Sequence, residues 1–401
     1  MSPHVLISGA SIAGPALAHW LTRYGFEVTV VERAPALRPG GQAVDVRGIG
    51  KEVLRRMGLD AAVRAACTET TGADYVTRKG RRILSMESDM FDGDGPIAEI
   101  EILRGDISEV LYDATKATAD YVFGDRVTAL VQDAGGVDVT FESRSRRRFD
   151  LVIGADGLNS GIRSLAFAPE EVTRSHLGHY MSFFTVPNKL NLDRRMVLYG
   201  EPGRGAAIRS IHDNDAAMGL LSFRSGPIEH DSRDVAAQKA IMRSRIEGMA
   251  WEASWLLEQM DAAPDFYFDA CSQIEMNSWS TGRVALLGDA GYCPSPLSGQ
   301  GTALALIGAY LLAGELSAHP GDHTAAFAGY EGRFRSFVEA SQKMGRSNAK
   351  MTEPDSRAAM WLQFAMMFAM VHMPGSAYVM RRMMKGLSDL ELPDYPLPKP
   401  V

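Results

Sequence analysis

An α/β fold with α+β insertions is predicted by three observations. The chain opens on a strand, glycine turn, helix and strand. Two later short strands, at 151–153 and 283–287, run into glycine-and-acid turns of similar style. Between them, from 179 to 276, apolar residues recur with a period of two. A Rossmann-like nucleotide domain gathered from the start, the middle and the 280s accounts for the first two. A second domain on a mostly antiparallel sheet accounts for the third, and helices complete the C-terminus.

The opening unit is HVLISGASIAGPALAHWLTRYGFEVTVVER. Val5 to Ile7 reads as a buried strand and Gly9-Ala10-Ser11-Ile12-Ala13-Gly14 as the turn. Leu17, Trp20 and Leu21 carry a helical spacing, and Val28 to Val31 form a second strand that ends on Glu32. Gly9 permits the tight turn, and Gly14 lets the helix lie close to the sheet. The helix start at Ser11, Ile12 and Ala13 offers free amides and a partial positive charge to a pyrophosphate. Glu32 stands 18 residues beyond Gly14, near the separation at which an acid accepts hydrogen bonds from an adenosine ribose. Ser11 replaces the fingerprint's second glycine and is small enough for close backbone approach. This stretch alone leaves NAD(P) and FAD both open.

With 401 residues, the chain can bury the core of two associated domains. Its net charge of −7 argues against nucleic acid or an anionic membrane as partner. Cys67, Cys271 and Cys293 are too widely spaced for a disulfide framework or a zinc site, so no metal is expected. A strand beginning at residue 4 leaves no room for a signal peptide. The longest apolar runs, 303–312 and 364–371, fall short of the about 18 residues of a membrane span. The expectation is a cytoplasmic protein, monomeric or homodimeric.

In chain order, a glycine- and arginine-rich loop at 35–50 precedes a helix over 51–67. A strand pair over 70–102 turns at Arg78-Lys79-Gly80-Arg81, and a helix over 106–119 has Asp106 as its N-cap. Val127 to Val131 and Val137 to Phe141 pair across Gly135-Gly136, and Arg144 to Arg148 form a solvated hairpin end. Strands at 179–186, 195–199, 206–212, 217–223 and 266–274 make the second sheet, with Asp213-Asn214-Asp215 as a hairpin turn. Helices at 235–247 and 250–260 interrupt it. Long helices are expected at 299–316, 324–343 and 354–385. Residues 1–70, 103–170 and 280–345 are assigned to the nucleotide domain and 71–102 and 171–279 to the second. Residues 346–401 form a C-terminal helical segment with an extended, proline-rich tail.

Two later motifs bear on the cofactor. Asp156-Gly157-Leu158-Asn159-Ser160-Gly161-Ile162-Arg163 fits D-G-x-x-S-x-x-R. Gly288-Asp289-Ala290 is followed by Pro294, Pro296 and Gly299-Gln300-Gly301. Together with the opening unit, and in this order over roughly residues 3–345, they resemble the single-component flavoprotein aromatic hydroxylases of the para-hydroxybenzoate hydroxylase fold. The loop Gly40-Gly41-Gln42-Ala43-Val44-Asp45-Val46-Arg47 is similar to that of the tetracycline-inactivating branch.

The resemblance implies FAD as cofactor, with NADH or NADPH as transient reductant and O2 as oxidant. It implies hydroxylation of an aromatic or polycyclic molecule, a polyketide or xenobiotic, through a flavin C4a-hydroperoxide. No catalytic side chain is expected, because the flavin carries the reaction. A flavin reductase that leaves O2 untouched is the alternative. No second glycine-rich βαβ unit exists for the nicotinamide cofactor. Carried onto this chain, Gly9, Ser11, Ile12, Ala13, Gly14, Glu32 and Arg33 hold the ADP half, with Val127 at the adenine. Asp45, Arg104, Asp156, Gly288, Asp289, Pro296, Gly299 and Gly301 surround the rest of the FAD, and Arg38 helps hold the nicotinamide cofactor. Arg163 is expected to brace the structure.

The second sheet should roof the flavin and exclude water. Met181, Phe183, Phe223 and Phe268 are its apolar pocket candidates, and Arg209, His212 and Arg224 are candidates to orient a phenolate or enol. Tyr292 and Cys293 precede Pro294 and are placed facing the flavin. A methionine-rich stretch from Met360 to Met384 reads as core or as cover for an adaptable pocket.

Overall fold

The computed structural model describes residues 2–88, 98–211, 214, 216–231, 233–372 and 390–397. The opening unit is β1 (His4–Ser8), α1 (Ala13–Arg23) and β2 (Glu27–Glu32), with β1 and β2 parallel. β3 (Ala43–Val46) follows, then α2 (Ile49–Met57) and α3 (Asp60–Ala65). The single helix expected over 51–67 is broken because Gly58 adopts φ +75° and caps α2. β4 (Gly72–Val76) and β5 (Arg82–Glu87) form the expected hairpin.

β6 (Ile100–Leu103) returns to pair antiparallel with β3, and α4 (Arg104–Asp113) starts immediately. The helix therefore begins two residues before Asp106, which lies in its first turn instead of capping it. β7 (Asp120–Phe123) joins the first sheet; β8 (Val127–Asp133), β9 (Gly136–Phe141) and β10 (Arg146–Phe149) form a separate meander. In that meander Arg146, Arg147 and Arg148 lie on β10 instead of forming a hairpin end; they stay exposed, and Arg148 reaches Asp133 and Asp138.

β11 (Leu151–Gly154) and α5 (Gly161–Ala166) carry the second motif. The next sheet is made by β12 (Val172–Pro187), β13 (Arg195–Glu201), β14 (Arg204–Ile211) and β15 (Ala216–Arg224). α6 (Val235–Ile246) and α7 (Ala253–Ala262) interrupt it before β16 (Tyr267–Met276). β17 (Ser280–Thr281) and β18 (Val284–Leu286) lead to α8 (Asp289–Tyr292). α9 (Gly301–Ala318), α10 (His323–Met351) and α11 (Arg357–His372) complete the helices among the described residues. The remainder of the helix expected to 385, with Met373, Met380, Met383 and Met384, lies outside them, as do His212, Asp213 and Asp215.

Among the described residues, the nucleotide sheet has six strands in the order β17-β18-β11-β1-β2-β7. β18, β11, β1, β2 and β7 are mutually parallel, so their C-terminal ends, where the motifs lie, share one edge. α9 is long and apolar enough to cross a membrane by composition, but 83% of it is buried inside the protein. Its small residues permit that burial: a Cβ on Gly50 of α2 would come within 3.2 Å of Ala303 Cα.

The second sheet runs β16-β12-β15-β14-β13-β4-β5, antiparallel except where β4 meets β13. Its pleat sorts side chains onto two faces. The back face carries Tyr180, Phe184, Leu221, Phe223, Ile208 and Phe268 into a core shared with α6 and α7. The front face carries Met181, Phe183, Met218, Arg209 and Tyr75. There Phe183 and Met218 pack with Leu103 of β6. α11 also lies over this face: Phe364 meets the Tyr75 ring edge-on at 5.6 Å. The intervening linker is anchored by Glu353, which accepts from Ser222 and lies 3.3 Å from His179 Nδ1.

Candidate functional site

The glycine turn after β1 is where the distant motifs meet. Gly9 N–H donates to Val31 O at 2.8 Å, which ties the turn to β2. A methyl group on Gly9 would lie 2.5 Å from the Ala155 carbonyl, and one on Gly14 would lie 1.9 Å from the Gly9 carbonyl. Both sites need glycine because backbone fills that space. Ala155 follows β11, so the second motif abuts the first. Gly288 belongs to the third, and its Cβ position is 3.3 Å from Ala13 Cβ. Arg163 joins the last two motifs: Nη1 donates to Ala290 O and Nη2 to Leu158 O, each at 2.7 Å.

Around this hub stand the polar groups. Glu32 accepts from Ala10 N at 3.0 Å and from Ala34 N at 2.8 Å, so its carboxylate sits at the mouth of the turn. Asp125 N–H donates to Glu32 O at 3.2 Å, bringing Val127 alongside, while Arg33 is exposed at the rim. Arg104 is the first residue of α4, and its Nε donates to Ser11 Oγ at 3.1 Å. A strap at 38–42 crosses it through Arg104 N to Gln42 O and Gly105 N to Gly40 O, with Arg38 exposed on the strap.

The far end is built by β3 and the loop before α9. Asp45 pairs with Arg47 at 2.8 Å, and both lie 3.5 Å from the Cβ position of Gly299, which has φ +63°. The loop carrying Pro296 is clamped by Gln273 Nε2 to Pro294 O at 2.9 Å and Asn348 Nδ2 to Leu297 O at 2.8 Å. Gly301 opens α9, and nothing lies within 4 Å of its Cβ position. Asp289 lies between buried Gly288 and Ala290, walled by protein, yet its own side chain faces open space. Burial raises its pKa, opposed by the nearby Arg104 charge and by a hydrogen bond from the Cys293 thiol.

Asp156 has a different setting. Its Oδ2 accepts from Gly161 N at 2.7 Å and Ile162 N at 3.1 Å, and its Oδ1 accepts from Ser160. The carboxylate holds the start of α5, and burial raises its pKa.

A Gly-lined turn with the Glu32 carboxylate at its mouth, the Asp289 carboxylate facing open space, a cation on the turn and two helix starts suit a dinucleotide's pyrophosphate and hydroxyls. The residues fit FAD in particular because the far end adds backbone without side chains at Gly299 and Gly301. Cβ-free amides there can approach a flat ring closely.

The front face of the second sheet meets this crevice, and the pleat decides which candidates reach it. Met181, Phe183 and Arg209 do. Phe223 and Phe268 are turned away and stack on Tyr180 at 5.3 and 5.4 Å in the opposite core. They are packing residues, because adjacent strand positions alternate between faces. Arg224 pairs with Asp355 at 2.9 Å. Tyr292, expected to face the flavin, is instead buried against Trp279 and hydrogen-bonds Tyr330 at 2.7 Å, so it does not line the crevice. Cys293 is buried and its thiol is pushed up in pKa by burial, which leaves it unreactive.

Sequence reasoning missed three residues here. Arg47 is 9% exposed and paired with Asp45; its place two residues after Asp45, just past β3, was the available signal. Tyr267 and Asp269 stand on β16, hydrogen-bonded to each other at 3.1 Å on the front face, and only strand register places them.

Comparison with known proteins agrees with this geometry. The FAD binding domain family model matches residues 3–326. An uncharacterised protein of Mycobacterium tuberculosis is 47% identical over 346 residues, spanning 86% of this chain and 93% of its own length. A flavin-dependent monooxygenase of Legionella longbeachae is 41% identical over 341 residues, spanning 85% and 87%. The crystal structure of tetracycline destructase Tet(55) superposes with a TM-score of 0.86 at 37% identity, covering 98% of this chain and 99% of that one. The convergence of three motifs on one crevice and the match along most of the length place this chain in the family of FAD-dependent monooxygenases with the para-hydroxybenzoate hydroxylase fold.

Proposed function

We propose that this protein uses NADH or NADPH and O2 to hydroxylate an aromatic or polycyclic small molecule, of the polyketide or xenobiotic kind. The observation that carries the proposal is the front face of the second sheet. It presents Met181, Phe183 and Met218 beside the Arg209 guanidinium, held at 2.7 Å by the buried Glu101 of β6. Arg209 Nε is buried and has no hydrogen-bond partner. An unpaired buried donor costs free energy unless a ligand satisfies it, and a phenolate or enolate oxygen is the matching acceptor. The likeness to the solved tetracycline destructases Tet(51) and Tet(55) supports a substrate of that kind.

In this reading Arg104 and the start of α1 neutralise the pyrophosphate, while Glu32 and Asp289 accept from ribose and ribityl hydroxyls. Gly299, Gly301 and the positive end of α9 favour negative charge on the ring's pyrimidine edge. FAD held by these residues would supply the redox chemistry, hydride acceptance and electron transfer to oxygen. The chain's own residues orient the substrate's oxygen through Arg209 and keep water out through the apolar front face and α11. In this proposal Asp156 serves both FAD and the nicotinamide cofactor, and Arg38 helps hold the latter.

The test is NADH and NADPH oxidation by the purified holoenzyme with a panel of phenols, anthraquinones and tetracyclines, following oxygen uptake and product mass. Substrate-stimulated uptake with one oxygen atom gained by the product is expected. Reduction of an acceptor with oxygen left untouched would move the protein to the reductase class.

A further inference from the structure

Tyr267 is one of the crevice groups that the reading above leaves without a role. It starts β16 directly opposite Phe183 of β12, so both side chains rise from the front face, with ring centroids 6.3 Å apart. Phe183 packs with Leu103, the residue immediately before Arg104, and Arg104 reaches the glycine turn through Ser11. Register and packing thus carry the Tyr267 ring to the side of the crevice where Arg104 stands. Its orientation is locked: the phenol donates to Asp269 Oδ2 at 3.1 Å, while Asp269 Oδ1 accepts from Ala270 N at 2.7 Å.

A locked ring that keeps 36% of its surface open differs from the buried rings of the opposite face, which are satisfied by each other. The charges of Arg104 and Asp289 both act on the Tyr267 phenol, and burial together with Asp269 pushes its pKa well above the usual tyrosine value. The phenol therefore stays protonated and hydrogen-bonded at any working pH.

We propose that Tyr267 is a positioning residue for the cofactor: its ring forms the second sheet's wall where the ribityl chain joins the isoalloxazine of FAD, on the Arg104 side of the crevice, with Asp269 fixing its angle. An aromatic wall of this kind excludes water from one side of the flavin and limits the ring's sideways travel.

The inference rests on the FAD assignment, and its test separates the two. A neutral tyrosine next to an excited flavin donates an electron that returns within the same pair, so the flavin's fluorescence is shortened with no net chemistry. Holoenzyme carrying Tyr267→Phe keeps the ring and its packing but loses the donor. It should bind a full complement of FAD and show a flavin fluorescence lifetime several-fold longer than the parent, and Tyr267→Trp should restore the short lifetime. Tyr267→Leu, which removes the wall, should weaken FAD binding by about three- to tenfold in a titration of apoprotein. An unchanged lifetime in Tyr267→Phe at full flavin content would overturn the proposal while leaving the FAD assignment intact. Unchanged affinity in Tyr267→Leu would also overturn it.

Discussion

Replacing Asp289 by alanine tests the floor of the crevice. Its carboxylate faces open space and is walled by protein, with the weakly donating Cys293 thiol beside it. A hydroxyl donated to a carboxylate in such a place contributes about 1.5–3 kcal/mol, so its loss should raise the FAD dissociation constant about 10- to 150-fold. Fluorescence titration of apoprotein with FAD reads it directly, with circular dichroism confirming that the variant is folded. Asp289→Asn keeps an acceptor oxygen and should bind between the two. If the alanine variant takes up FAD as tightly as the parent, the carboxylate is not a cofactor ligand and the placement of the third motif is wrong.

Other perturbations follow from the same structure. Gly14→Ala puts a methyl group 1.9 Å from the Gly9 carbonyl, which is backbone and cannot rotate aside; purified protein should be colourless and melt several degrees lower. Glu101→Gln leaves Arg209 buried without its anion, and chemical denaturation should show a loss of about 3 kcal/mol, whereas Glu101→Gln with Arg209→Met should recover much of it. His19 is buried and lowered in pKa to about 4, chiefly by burial and then by Arg23, so it is neutral in the fold and lost stability appears when only the unfolded chain can take the proton. Stability should hold above pH 6.5, fall by at most about 3 kcal/mol between pH 6.5 and 4, and level off below; His19→Gln should flatten that part of a denaturation-against-pH curve.

What the linear sequence determined is local and periodic. The opening βαβ unit was legible because turn, helix spacing and β-branched strand agree within thirty residues, and Glu32 lies where the turn needs it. The three-motif pattern was legible because each motif is a strand end, and parallel strands in one sheet put their ends on a common edge. Gly58 was also in plain view, and reading through it merged two helices into one.

Tertiary structure alone decided what strand parity and partner choice control. Met181 and Phe183 face the crevice, while Phe223 and Phe268 face α6 and α7, because pleating sends neighbouring positions to opposite sides and apolar residues occupy both. Tyr292 sits beside two motif residues in sequence yet is spent on Tyr330, since α8 turns it into the core. Arg209 meeting Glu101, and Tyr267 meeting Phe183 above Arg104, join residues about 80 to 160 positions apart. No local spacing encodes such pairs; only the order of strands in the folded sheet brings them together.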